Sequence, residues 1–203
     1  MDLLGGVELA VRLAFASVPQ MTTAELAQLI ARSSTPVVLL DVRTAAEYEV
    51  SHLAGAHRFD PPADRSLLES LAPVLKSAGL HEGQAATLVL YCSVGYRSSD
   101  LAARLASEAS TTRSSTGSST PVSPRTSPQA ASKASDQPPA NSVADPPTSW
   151  SGLRYVNLQG SIFRWALENR PLVNSAGVTV RVVHGYNRTW ARLLPSDRVV
   201  LNP

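Results

Sequence analysis

Two short, almost wholly apolar runs constrain this chain more than any other feature: Val37-Val38-Leu39-Leu40 and Thr87-Leu88-Val89-Leu90-Tyr91. Neither alternates apolar with polar residues, so neither suits a strand with one face in water. Both suit strands covered on two faces, as in a parallel sheet with helices on each side. The segments between them fit that plan. Thr22, with Glu25 three residues on, forms a capping-box pattern, and Leu26, Leu29 and Ile30 share one face of a helix running to about Arg32. Thr44–Ser51, Arg65–Ser77, Ser98–Glu108 and Ser161–Asn169 are helical in pattern, while Ala56–Phe59 and Tyr155–Leu158 read as further strands. Repeated strand-then-helix order predicts an α/β domain with a mainly parallel sheet.

Composition divides the chain further. Ala109–Ser149 holds 11 Ser, 6 Thr and 7 Pro in 41 residues, with no aromatic, Leu or Ile. Such a stretch buries too little apolar surface to offset its ordering entropy, which predicts a disordered insertion. The other 162 residues suffice for one core. Residues 1–20 are apolar in flavour, but Asp2, Glu8 and Arg12 interrupt them, which predicts an amphipathic helix rather than a secretory or transit signal. In 174–203, Val178–Val183 alternates like an edge strand and His184–Trp190 leads into a short helix. This extension is expected to pack on the domain, with the N-terminal helix as its partner. No run approaches the ~20 apolar residues of a membrane span. A formal charge of +2 gives no footprint for nucleic acid. One cysteine excludes an internal disulfide framework and a Cys-rich zinc site. His52 and His57, five apart without a partner cluster, do not read as metal ligands, and His52 is expected to serve the Leu53–Ala56 turn. A soluble, cytoplasmic protein without a metal is the expectation.

That cysteine stands where chemistry is expected. In Leu88–Asp100 a buried strand ends, a short loop with one glycine follows, and a helix begins. Open α/β sheets place sites at the carboxyl ends of their strands. Cys92 is the first loop residue, and the loop N–H groups with the helix N-terminus favour an anion there. The same field favours thiolate over thiol. Gly95 permits positive φ in a tight cradle, and Arg97 offers a fixed cation at the loop rim. Ser93, Val94 and Tyr96 complete the loop. The setting favours an activated thiolate over a merely buried structural cysteine.

At these residues the sequence resembles the rhodanese family of sulfurtransferases. Cys92–Arg97 resembles the family's six-residue active-site loop. Asp41–Tyr48 resembles its D-x-R-x-x-x-E-Y/F segment, and Ser51–His57 its G-H-I/L-x-G-A stretch with Ser51 in place of Gly. Leu158–Trp165 resembles the closing L-x-G-G-I/F-x-x-W helix, with Ser161 in place of the second Gly, and Asn169–Leu172 fits the turn after it. The resemblance covers about residues 21–173, less the insertion, and implies a three-layer sandwich with a five-stranded sheet.

It also implies a thiosulfate sulfurtransferase-like enzyme without cofactor, with Cys92 as nucleophile carrying a persulfide. Ser93, Val94, Gly95, Tyr96 and Arg97 would form the binding loop, and Asp41, Arg43 and Ser98 would support it. The partners would be a small sulfur donor and a thiol acceptor such as glutathione or a thioredoxin-like protein. Ser93 stands where thiosulfate-using members carry a basic residue, and Arg97 is present where mercaptopyruvate-using members lack it. The loop thus leans to an inorganic or protein persulfide donor. Two rivals differ in class. A non-catalytic rhodanese-like module would usually lack the Cys. The related phosphatases and arsenate reductases carry five residues between Cys and Arg, against four here.

Overall fold

In the computed structural model, residues 2–32, 34–115, 150 and 152–201 are described, the side chains of 112–115 excepted. The two apolar runs become β2 (Val37–Asp41) and β4 (Ala86–Tyr91), paired in parallel from Val37 opposite Thr87 to Asp41 opposite Tyr91. With β1 (Gln20–Met21), β3 (His57–Arg58) and β5 (Leu153–Leu158) they form a five-stranded sheet in the order β1-β5-β4-β2-β3, parallel at every pairing. Successive residues of a strand point to opposite faces, and both faces are covered. Val38, Leu40, Leu88 and Leu90 pack with Leu71 and Leu75 of α4 (Leu67–Ser77) and with Leu101 and Leu105 of α5 (Tyr96–Ser115). Leu39, Val89 and Val156 pack on the other side with Leu26 of α2 (Thr23–Arg32) and Ile162 and Phe163 of α6 (Ser161–Leu167). The missing alternation in β2 and β4 is therefore the mark of a three-layer α/β/α domain. No helix among the described residues is long and apolar enough to cross a membrane.

Three expectations change. Gln20–Met21 gave no strand signal, being too short for a period to register, and it becomes a strand by pairing with Asn157 and Leu158 at the sheet edge. The helix expected to stop at Glu108 continues to Ser115, so the first seven residues of the predicted insertion are helical. Two contacts explain the extension. Ala109 is buried, and the Glu108 carboxylate accepts hydrogen bonds from the Leu67 N–H (3.0 Å), the Leu68 N–H (3.3 Å) and the Ser66 hydroxyl. An anion at the N-terminus of α4 is stabilised there, and it ties α5 to α4. The rest of the predicted disordered insertion, 116–149, lies outside the described residues.

Third, the tail does not form one edge strand. Thr179–Val180 (β7) pairs antiparallel with Leu172–Val173 (β6), and Val183–His184 (β8) pairs parallel with Val199–Val200 (β9). β8 packs against α6 and against α3 (Ala45–Val50), where the N-terminal helix had been the expected partner. That helix, α1 (Leu3–Ala14), is pinned through its acids instead. Arg164 of α6 donates to Glu8 (2.6 Å) and to Asp2 (2.9 Å).

The chain leaves the described residues at the far end of α5 and returns at Trp150, just before β5 begins opposite Ala86. Both points lie away from the carboxyl ends of the strands. Replacing 116–149 by about twelve Gly/Ser residues, which span about 20 Å, should leave the circular-dichroism spectrum and the alkylation rate of Cys92 unchanged, because closure entropy varies only logarithmically with length. A native spectrum with altered Cys92 reactivity would contradict this placement.

Candidate active site

Cys92 directly follows β4, the middle strand of the sheet, and only 1% of it is exposed. Its Sγ accepts a hydrogen bond from the Gly95 N–H at 3.1 Å. That turn needs Gly95 at φ +109, and a Cβ there would come within 3.2 Å of Asn157 Nδ2. The start of α6 holds the loop from behind. The Ile162 N–H donates to the Cys92 carbonyl (3.2 Å) and the Phe163 N–H to the Ser93 carbonyl (3.1 Å). Ser161, standing where the resemblance expects glycine, has φ +50. A non-glycine residue there costs about 1 kcal/mol. Its hydroxyl accepts the buried Cys92 N–H (3.1 Å), an interaction of similar size that glycine could not make.

Electrostatics at the thiol oppose one another. Burial pushes the Cys92 thiol up. The Arg97 charge and the N–H groups of Ser98 and Gly95 outweigh it, so its pKa lies below the ordinary value. A thiolate at a helix N-terminus beside a cation is the physical setting of a reactive cysteine.

Arg97 is not a free cation at the rim. Its Nη1 and Nη2 donate to the two Glu47 oxygens (3.0 and 2.8 Å), and Nη2 also donates to Ser93 Oγ (3.0 Å). Ser93 donates onward to Glu47 (3.0 Å). The guanidinium also lies 4.8 Å from the centre of the Tyr186 ring. Glu47 is the third helical residue of α3 and closes a capping box with Thr44. Burial alone would raise its pKa. The Arg97 hydrogen bonds and charge, the Thr44 N–H and the Arg43 charge bring it down to about 2.

A depressed carboxylate contributes its full stability above the unfolded pKa, near 4.3, and loses it as pH falls through the folded value. Wild type should thus lose about 2 kcal/mol more stability than Glu47→Gln between about pH 6 and about pH 3. Urea midpoints at the two pH values check this; equal losses would show that Glu47 is not held ionised.

Asp41 and Arg43 are both fully buried and form a forked pair. Arg43 Nε donates to Asp41 Oδ1 (2.9 Å) and Nη2 to Oδ2 (2.6 Å), while Nη2 also donates to the Ser51 carbonyl (2.6 Å). The pair braces the end of β2 against the Ser51 turn and acts on the loop through the charge Arg43 exerts on Glu47. Ser98 is buried, and its hydroxyl donates to Asn157 Oδ1 (2.6 Å). Tyr96 is 59% exposed and meets Phe15 edge-on, with ring centres 5.1 Å apart. His52 stacks on Tyr48 and its Nδ1 lies 2.9 Å from the Tyr48 carbonyl.

A cavity of about 190 Å³ opens on Cys92, lined by the loop residues Ser93, Val94, Tyr96 and Arg97 and by Tyr186 and Trp190 of the tail. Tyr186, Trp190 and Asn157 carry no site signal in the sequence, and Glu47 enters there only as the acid of the Asp41–Tyr48 segment. The three-residue spacing of Thr44 and Glu47 is the local signal that could have drawn attention to Glu47; nothing local links residues 186 and 190 to residue 92.

Among known proteins, residues 22–118 match the family model of the rhodanese-like domain. No curated protein matches the sequence. Three similar solved structures are all remote. The BH2092 protein of Bacillus halodurans is 13% identical, with a TM-score of 0.47, covering 92% of this chain and 97% of its own. A thiosulfate sulfurtransferase of Pseudomonas aeruginosa is 16% identical, with a TM-score of 0.42, over 94% of this chain and 26% of its own. A Rhodopseudomonas palustris protein of unknown function, described as a possible tyrosine phosphatase, is 16% identical, with a TM-score of 0.39, over 82% and 92%.

Proposed function

The chain belongs to the rhodanese-like domain family, matched over residues 22–118, and on that premise we propose that it is a sulfurtransferase. Cys92 takes a sulfur atom from a donor such as thiosulfate, holds it as a persulfide, and yields it to a thiol or another nucleophile. The observation that carries this reading is the Cys92 sulfur itself. It receives the Gly95 N–H at 3.1 Å, lies beside the Ser98 N–H and the Arg97 charge, and opens on a small cavity.

The Cys92 thiolate attacks the outer sulfur of thiosulfate. The donor's S–S bond breaks and sulfite leaves with its electron pair. The persulfide is anionic, and the donors that depress the thiol pKa stabilise it too. An acceptor thiolate or cyanide then attacks the outer persulfide sulfur, and the Cys92 thiolate is the leaving group. Ser93, Val94, Gly95, Tyr96 and Arg97 shape the cradle, with Asp41, Arg43 and Ser98 supporting it. The chain has one cysteine, so the acceptor is a second molecule. A reduced compartment such as the cytoplasm supplies such thiols, glutathione or a thioredoxin-like protein among them.

Intact-mass measurement after incubation with thiosulfate tests the reading. One sulfur, about 32 Da, should be gained and then lost to cyanide as thiocyanate. No gain from thiosulfate or from an organic thiosulfonate would leave a binding module. Hydrolysis of a phosphate monoester without sulfur gain would turn the reading to the related phosphatases.

A further inference from the structure

Tyr186 and Trp190 belong to the tail, yet they wall the Cys92 cavity together with Tyr96. The tail is built to hold them there. Tyr186 has φ +61, a left-handed backbone that bulky residues rarely adopt. Its N–H donates to His184 Nδ1 at 3.0 Å. Asn187 Oδ1 then caps α7 (Arg188–Ala191) by accepting the N–H groups of Thr189 (3.0 Å) and Trp190 (3.1 Å). At Gly185 a Cβ would lie 2.6 Å from Val199 and 2.8 Å from Ala191, so the missing side chain lets this turn close on β9 and α7. The Tyr186 ring ends against the Arg97 guanidinium.

The charge of the cavity points the same way. Among the described residues lining it, Arg97 is the one cation, and both Glu47 oxygens already take its N–H groups. With Cys92 as thiolate, Arg97 and Glu47 cancel and leave no surplus positive charge for a dianion. At about 190 Å³ the cavity is smaller than the roughly 300–1,000 Å³ of sites for larger ligands. It is comparable with the roughly 150 Å³ that admits a benzene ring.

We propose that Tyr186 and Trp190 are specificity-determining residues that select a small organic sulfur donor, one with an apolar body and no more than one negative charge, over the thiosulfate dianion. An organic thiosulfonate has this chemistry. The Cys92 thiolate attacks its outer sulfur, the S–S bond breaks, and a sulfinate leaves with the electron pair, so one negative charge stays on the persulfide and one on the leaving group. The proposal rests on the sulfurtransferase reading.

The test compares kcat/KM for benzenethiosulfonate and for thiosulfate, with cyanide as the common acceptor. Wild type should prefer benzenethiosulfonate by about tenfold or more, the scale on which an apolar wall discriminates. Trp190→Ala and Tyr186→Gly should each reduce that preference about fivefold or more, and Trp190→Phe should retain it. Tyr186→Gly suits the left-handed backbone, so its effect is not one of unfolding, which circular dichroism verifies. Equal use of the two donors by wild type, or an unchanged preference in both wall variants, overturns the proposal while leaving sulfur transfer intact. If neither donor adds sulfur to Cys92 by intact mass, the sulfurtransferase reading fails and takes this proposal with it.

Discussion

Replacing Cys92 by serine should abolish sulfur transfer, lowering turnover by about 10³-fold or more, and the variant should gain no mass from any donor. Loss of a nucleophile that acts with its whole surroundings removes the chemical step rather than trimming it. A serine hydroxyl is not ionised at neutral pH, so the N–H groups of Gly95 and Ser98 and the charge of Arg97 would face a neutral oxygen. The fold should survive, because Cys92 contributes one small side chain to its core cluster. In wild type, the alkylation rate plotted against pH should show a midpoint below the ~8.5 of a free cysteine. A sulfur-loaded Cys92→Ser protein would mean that the carrier lies elsewhere.

The largest stability effect is expected at Asp41. Asp41→Ala removes the partner of a guanidinium with no exposed surface, and breaking such a pair costs about 3–5 kcal/mol because the remaining charge is buried uncompensated. Arg43 Nη1 already has no hydrogen-bond partner among the described residues, so the cation has little in reserve. The midpoint of thermal unfolding should fall by about 10 °C. Asp41→Ala/Arg43→Met should recover much of the loss, since an apolar side chain of similar length suits the site better than an unpaired charge. Urea denaturation of the three proteins decides it. A loss under about 1 kcal/mol in the single variant would show that water reaches Arg43.

The contrast between Cys92 and its surroundings shows what could be read in advance. The strand before it, the glycine in its loop and the helix after it are encoded by neighbouring residues. An unbroken apolar run forces burial, positive φ calls for glycine, and a helix start supplies N–H groups. Those local rules indicate the α/β layering and the position of the thiol without knowledge of any contact. They misjudge Arg97, which reads as a free cation when only its own neighbours are in view. It is paired with Glu47, which arrives from α3 once β2 and β4 pair in register.

The same boundary separates the other residues. The 3.6-residue helical period and the apolar strands were legible because each repeats within one element. β1 is two residues long and exists through its pairing with β5, so it has no period to read. Ser and Thr are poor helix formers and argue for an end to α5 near Glu108, whereas Glu108 on the N-terminus of α4 supplies a tertiary reason to continue. Ser161 could be recognised as a departure from the resemblance, but its use, accepting the Cys92 N–H, depends on α6 packing behind the loop. Contiguous residues specify the layered fold class and the place of Cys92 at the end of a buried strand, because burial pattern and backbone conformation are local properties. The charge balance and the aromatic walls of the cavity arise from long-range contacts. Glu47, Tyr186 and Trp190 meet Cys92 through the order of the strands and the folding back of the tail, which no local period records.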